Sequence, residues 1–179
     1  GFHATLKAPF ELAAGVSEAT LLDAFSSVRA MGGDVVIPSL VLRQVDGFFA
    51  LVSEAPVENL NALAGRMVRE FDPLRAPLSQ ADIARRNPEK LSERQRANLE
   101  RWGYPYVFEE FFFHMTLSGR VHGQEADETR AALEAHFSDF TGRPHAVSHI
   151  ALFEEPAAGA DFTVRLIRPV NLSNSSGKT

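Results

Sequence analysis

Two short runs of this 179-residue chain carry residue types that could do acid–base chemistry, Phe2-His3-Ala4-Thr5-Leu6 and Phe113-His114-Met115-Thr116-Leu117. Histidine both takes and gives a proton near neutral pH. A threonine two residues on shares the strand face of its histidine and offers a hydroxyl to an anionic oxygen. Cleavage of a phosphodiester needs one group to deprotonate water, another to protonate the leaving oxygen, and donors that hold charge on the non-bridging oxygens. His3 and His114 fit the first two roles without a metal, and Thr5 and Thr116 fit the third. Lys7 and Arg120 fall on the same alternating faces and could add positive charge, or be surface charges at a strand end. Tyr104 and Tyr106 could stack on a base or sugar, or serve as packing aromatics.

One His-x-Ser/Thr match carries little weight, because short motifs recur by chance. His136-Phe137-Ser138 is such a match, at a helix end and without the following leucine. Taken singly, each motif histidine reads better as a satisfied strand residue. Two copies of Phe-His-x-Thr-Leu, 111 positions apart (114 less 3), are a different matter. Val35 and Ala146, each in the strand expected after the first helix of its half, have the same spacing. The chain therefore reads as an internal repeat. His145 and His149, four apart, would suit a metal pair on a helix, but Pro144 and the run Ile150-Ala151-Leu152-Phe153 predict a strand. Gly177-Lys178-Thr179 has Leu172 in place of the first glycine of a phosphate loop and is set aside.

The elements that must position these residues follow from periodicity. Phe2 to Ala8 alternates and predicts a strand ended by Pro9. Ser17 predicts a helix N-cap, with Leu21, Leu22, Phe25 and Val28 on one face and Gly32-Gly33 as its stop. Val35 to Val45 and Phe48 to Val52 predict a hairpin about Asp46-Gly47. A helix is predicted from Pro56 at its first position through Phe71. Asp72 to Tyr106, broken by prolines, predicts a connector whose charged helix spans Pro88 to Trp102. Phe111 to Val121 predicts the second motif strand, and Gln124 to Phe137 a helix. Ala146 to Phe153 and Phe162 to Ile167 predict two strands about a turn at Ala157 to Ala160. Ser173 to Thr179 predicts a loose tail. The expected fold is α+β: one bilobal domain of duplicated βαββ-type lobes, two antiparallel sheets facing a central cleft, helices outside. Lobe one covers about residues 1–71, the connector 72–106, lobe two 107–170 and the tail 171–179.

Composition sets limits. The formal charge is −5, with 18 Lys and Arg against 23 Asp and Glu. That argues against long nucleic acid as the main partner, which is held through many basic contacts. A lack of cysteine excludes disulfides, thiolate metal sites and a cysteine nucleophile. No apolar run approaches a membrane span, and no signal peptide is visible. A cytoplasmic protein is expected, with no cofactor, no metal, no membrane contact and no obligate protein partner. The chain opens on Gly1 and not on Met, and a missing beginning is one expectation.

The two quoted motifs resemble those of the 2H phosphoesterase superfamily. The run Gly1-Phe2-His3-Ala4-Thr5-Leu6-Lys7-Ala8-Pro9-Phe10, with Trp102-Gly103-Tyr104-Pro105-Tyr106-Val107 ahead of the second motif, is similar to a bacterial branch associated with phosphonate utilisation. Members of that branch carry a further strand before the first motif. The resemblance covers nearly the whole chain. It implies a 2H fold and a metal-independent phosphodiesterase acting on a small cyclic phosphate ester, a phosphorylated sugar intermediate. Two other readings stay open: an RNA-end 2′,3′-cyclic phosphodiesterase acting on short RNA ends, and a non-catalytic nucleotide- or RNA-binding protein.

Overall fold

In the computed structural model, which describes residues 2–28, 34–157 and 159–170, helices form where apolar residues recur at helical spacing or where a serine caps the first turn. Helix α1 (Glu18–Ser27) starts at Ser17, whose hydroxyl accepts the Thr20 N–H at 3.1 Å. It buries Phe25. Helix α2 (Glu58–Phe71) buries Leu60, Leu63, Ala64, Met67, Val68 and Phe71 along one stripe. Its N-cap is Val57, so Pro56 lies one place outside the helix and not at its first position. Helix α3 (Gln80–Arg85) and helix α4 (Glu93–Trp102) each begin with a capping box, at Ser79 and Ser92. The charged helix expected from Pro88 is therefore shorter. Pro88–Lys90 forms a separate 3-10 turn, and α4 starts afresh at Glu93. Helix α5 (Gly123–His136) matches its expected span within a residue.

The strands are β1 (Val36–Ile37), β2 (Leu40–Val45), β3 (Phe48–Ser53), β4 (His114–Arg120), β5 (His145–Ala146), β6 (His149–Glu154) and β7 (Thr163–Pro169). Pro38 has no N–H to give a ladder, and the strand expected over Val35 to Val45 divides there. The Asp46-Gly47 turn joins β2 to β3 as its type dictates, with φ +46° and +89°.

The architecture is α+β and every sheet pairing is antiparallel, but the sheets number three among the described residues: β1-β5, β2-β3-β4 and β6-β7. Two expectations need correction. Residues 2–10 form no strand; they run irregularly, with a bend at Leu6 and Lys7. Their ladder contact comes later, where Leu12 bridges Arg75 and Ala76 donates to the Glu11 carbonyl at 2.8 Å. The bend also ends the alternation, so Lys7 turns inward while His3 and Thr5 stay exposed. Second, the strand of the second motif does not begin at Phe111. Phe108–Glu110 is a 3-10 turn, and β4 pairs with the β2-β3 hairpin of the first half: Val52 faces His114, Leu51 faces Met115 and Ala50 faces Thr116. Gly32-Gly33, Gly1, Ala158 and the expected tail lie outside the described residues.

One cluster unites the core: Phe25, Leu51, Leu60, Phe71, Phe113 and Ile150 are among its buried members. Ala4 and Leu6 from the first motif, and Met115 and Leu117 from the second, pack against it. Strand β3 is central in its sheet, and Phe49 to Val52 are all buried. No helix among the described residues is long and apolar enough to cross a membrane. Leu60 is 1% exposed in the main cluster. Leu60→Ala should cost about 2–5 kcal/mol of folding stability, measured as a lowered urea midpoint.

Candidate active site

His114 is the first residue of β4, and its place is set by the ladder to buried Val52. Its Nδ1 lies 2.9 Å from the Phe112 carbonyl oxygen. A carbonyl only accepts, so Nδ1 carries the proton and Nε2 is left for other chemistry. Two phenyl rings brace the imidazole: Phe112 stacks at 6.0 Å and 15°, and Phe48 tilts against it at 6.2 Å. Thr116 follows on the same face, exposed, opposite buried Ala50.

His3 is exposed and held differently. Its ring lies 4.9 Å from that of Phe153 on β6. The first-half histidine thus leans on the second half's hairpin, as the second-half histidine is laddered to the first half's. Ala4 and Leu6, partly buried, pack against the common core while His3 and Thr5 stay exposed; in the second motif Phe113 is buried, Met115 packs partly buried, His114 is half-buried and Thr116 exposed.

The other candidates sit elsewhere. Arg120 faces Phe48, four β3 positions from Val52, or about 13 Å along the strand. A bulge between these pairs takes up two extra β4 residues and so keeps Arg120 on the His114 face. Within the bulge the Ser118 hydroxyl accepts the Phe49 N–H at 3.0 Å. Lys7 holds its ammonium 5.2 Å from the Phe10 ring centre. It lines a small hollow with Arg75, Trp102, Tyr104 and Val107. Burial lowers its pKa to about 8, with Asp72 opposing the shift and Arg75 adding to it. Tyr104 has Arg86 5.0 Å above its ring and Tyr106 edge-on at 5.6 Å. Its phenol is shifted upward, first by burial, with Arg86 acting against this. Tyr106 is the more open, at 45% exposure. The structure thus brings Lys7 and Tyr104 together.

A larger cavity of about 410 Å³, lined by Asp72, Arg75, Pro77, Ile83 and Glu100 among others, includes none of the four motif residues. His145 and His149 fall on β5 and β6, with Nε2 of His145 against the Phe140 carbonyl and Nδ1 of His149 against Ser148 Oγ. Among the described residues no group of three or more His, Asp or Glu side chains is placed to hold a metal ion. Phe48, Phe112 and Phe153 contact the histidines yet carry no chemical signal in the sequence. Arg75 was equally silent; the only hint lay in its place three residues after Asp72.

Residues 5–163 match a family described as "Protein of unknown function (DUF1045)". Two curated relatives are similar across nearly the whole chain. The "Ribose 1,5-bisphosphate phosphokinase PhnN" of Janthinobacterium sp. (strain Marseille) is 39% identical over 166 residues, covering 90% of this chain and 37% of that protein. The protein of the same name from Laribacter hongkongensis (strain HLHK9) is 34% identical over 182 residues, covering 100% and 42%. The chain spans about two fifths of the length of these relatives. No solved structure matches significantly.

The Lys7 shift sets a stability test. Below about pH 8 the folded chain carries a desolvated ammonium, and between about 8 and 10.5 the unfolded chain binds the extra proton, so stability from this group rises with pH. Lys7→Met should raise the denaturation midpoint at pH 7, and the gain should shrink as pH rises through that window.

Proposed function

We propose, from the premise that the chain belongs to the DUF1045 family, that it is a 2H-type phosphodiesterase opening a small cyclic phosphate on a phosphorylated ribose. His3 and His114 act as the acid–base pair. One neutral imidazole takes a proton from water as the oxygen attacks phosphorus. The bond from phosphorus to one ring oxygen breaks, and the other imidazole, protonated, gives its proton to that oxygen. The product is a phosphomonoester with a freed hydroxyl. The hydroxyls of Thr5 and Thr116 donate to the non-bridging oxygens, where negative charge gathers. Two imidazoles and two hydroxyls suffice for this sequence of steps, so the reaction is assigned as metal-independent.

The observation that carries this reading is the reciprocal seating of the motifs, His3 on Phe153 of β6 and His114 on β3, with the alternate residues of both in one core. The pairing of β1 with β5 supports the duplication. Val36 faces Ala146, and Val147 donates to the Val35 carbonyl at 2.8 Å. Segments 111 positions apart (146 less 35) therefore meet antiparallel, as strands related by a twofold axis do.

The relatives' printed name concerns a ribose bearing two phosphates. A ribose with one phosphomonoester and one cyclic phosphate becomes such a bisphosphate when the ring opens. The shared compound class supports a ribosyl substrate and the phosphonate-associated branch. A kinase reaction is not carried over, because it transfers a phosphoryl group from a donor and this chain spans only part of those proteins. The net charge of −5 favours a small ligand over nucleic acid.

Purified protein should hydrolyse a 5-phosphorylated ribose cyclic phosphate in the presence of a strong chelator. His3→Ala and His114→Ala should each lower turnover by about 10²–10⁴-fold with unchanged far-UV circular dichroism. Full turnover in either variant contradicts the assignment.

A further inference from the structure

Among the described residues, three that are not glycine have positive φ: Asp46 at +46°, Asn87 at +47° and Phe108 at +54°. Asp and Asn tolerate this region because their short polar side chains bond locally. Phenylalanine has no such compensation, so its surroundings must hold it there.

Those surroundings are built from the Trp102 to Val107 segment and its neighbours. Trp102 meets the Phe108 ring edge-on at 5.1 Å, and Arg69 lies 4.6 Å over the ring. Gly65 on α2 forms the seat, where an added Cβ would come within 3.2 Å of Phe108 Cδ1. Asn98 donates to the Pro105 carbonyl at 3.2 Å, Gln95 donates to the Glu110 carboxylate at 2.8 Å, and Val107 is buried. Out of this turn, Phe111 donates to the Phe108 carbonyl at 3.0 Å. Three residues later the chain enters the β4 ladder, whose first pair is Val52 with His114. Phe112 therefore lies ahead of the ladder. Its carbonyl, four residues after Phe108, holds His114 Nδ1 at 2.9 Å.

We propose that the left-handed turn at Phe108 positions His114: it aims the Phe112 carbonyl that holds Nδ1–H, so that Nε2 is the nitrogen that exchanges protons with substrate. The role rests on the reading of His114 as catalytic, but the ring's orientation can be measured without substrate. Phe108 is a positioning residue and touches no reacting atom in this scheme.

Two substitutions separate the turn from the packing of the ring. Phe108→Gly removes the whole ring yet accepts positive φ freely. Phe108→Val keeps apolar bulk but resists positive φ, being β-branched. The readout is the ¹⁵N spectrum of the His114 imidazole, assigned by its loss in His114→Gln, together with kcat on the cyclic ribose phosphate. The wild type and Phe108→Gly should both show the neutral ring protonated at Nδ1. Phe108→Val should shift it toward the Nε2–H form and lower kcat at least tenfold, with KM little changed. Phe108→Ala, which shares the φ cost with less bulk, replaces the valine variant if that one does not fold. Retention of the Nδ1–H form in Phe108→Val, or equal loss in Phe108→Gly, overturns the proposal. If the valine–glycine contrast appears but the wild type opens no cyclic phosphate, the proposed reaction fails and the positioning role stands.

Discussion

The ladder between β3 and β4 is the constraint on which the rest of the molecule depends. It joins residues 48–52 to residues 114–120 and so fastens the second motif onto the hairpin of the first half. Strand β3 is thereby paired on both edges, and its residues Phe49 to Val52 are buried, with Leu51 in the main apolar cluster and Phe49 against Val121 and Ala126. Pairing across such a sequence separation forms only after a long loop has closed, and the apolar cluster beneath must offset that entropy. The cluster is suited to do so, because it draws on α1, α2, β3, β6 and the apolar positions of both motifs at once. Phe113 is buried in this cluster and Ala4, Leu6 and Met115 pack partly buried against it, while His3, Thr5 and Thr116 are exposed and His114 is half-buried. Packing and candidate chemistry are therefore two faces of one alternation.

The connector contributes geometry more than reactive groups. Asp72 accepts from Arg75 and Arg101, each at 3.1 Å, and Arg75 also holds the Ala76 carbonyl. The Arg75 side chain in turn lies against Gly103, which ends α4 at φ +77°; a Cβ there would come within 3.0 Å of it. Lys7, turned inward after the first motif, adds a third cation beside Arg75 and Arg101. The pair Asp72–Arg75 is mostly buried while Arg101 is exposed, so the inner contact carries the greater share of the stability and the outer one is screened.

Much of this order was legible in the chain itself. The stripe of α2, the Asp46-Gly47 turn, the Ser17 cap and the strand nature of His149 to Phe153 follow from period and local chemistry, and the structure contains them. Three features were not legible, for physical reasons. The alternation of residues 2–8 predicts a strand, but burial follows it only from His3 to Leu6: Phe2 is 58% exposed, Lys7 turns inward, and among the described residues no strand pairs with this segment, so it runs irregularly. Which hairpin receives β4 is a choice among long-range pairings, and no local residue encodes it. The left-handed turn at Phe108 has its ring packed against Gly65, Trp102 and Arg69 from other elements, and phenylalanine is the wrong residue type to announce it. At the candidate site the histidines and threonines stood out by repetition. The phenylalanines that brace them looked like any core residue.

The central claim is that both motif histidines serve one phosphate. The most direct measurement is a crystal structure of the protein with bound orthovanadate. The account predicts a single vanadate within hydrogen-bond distance of the imidazole nitrogens of His3 and His114 and of the hydroxyls of Thr5 and Thr116. Vanadate bound to one histidine only, with the other ring out of reach of the same ion, would contradict it.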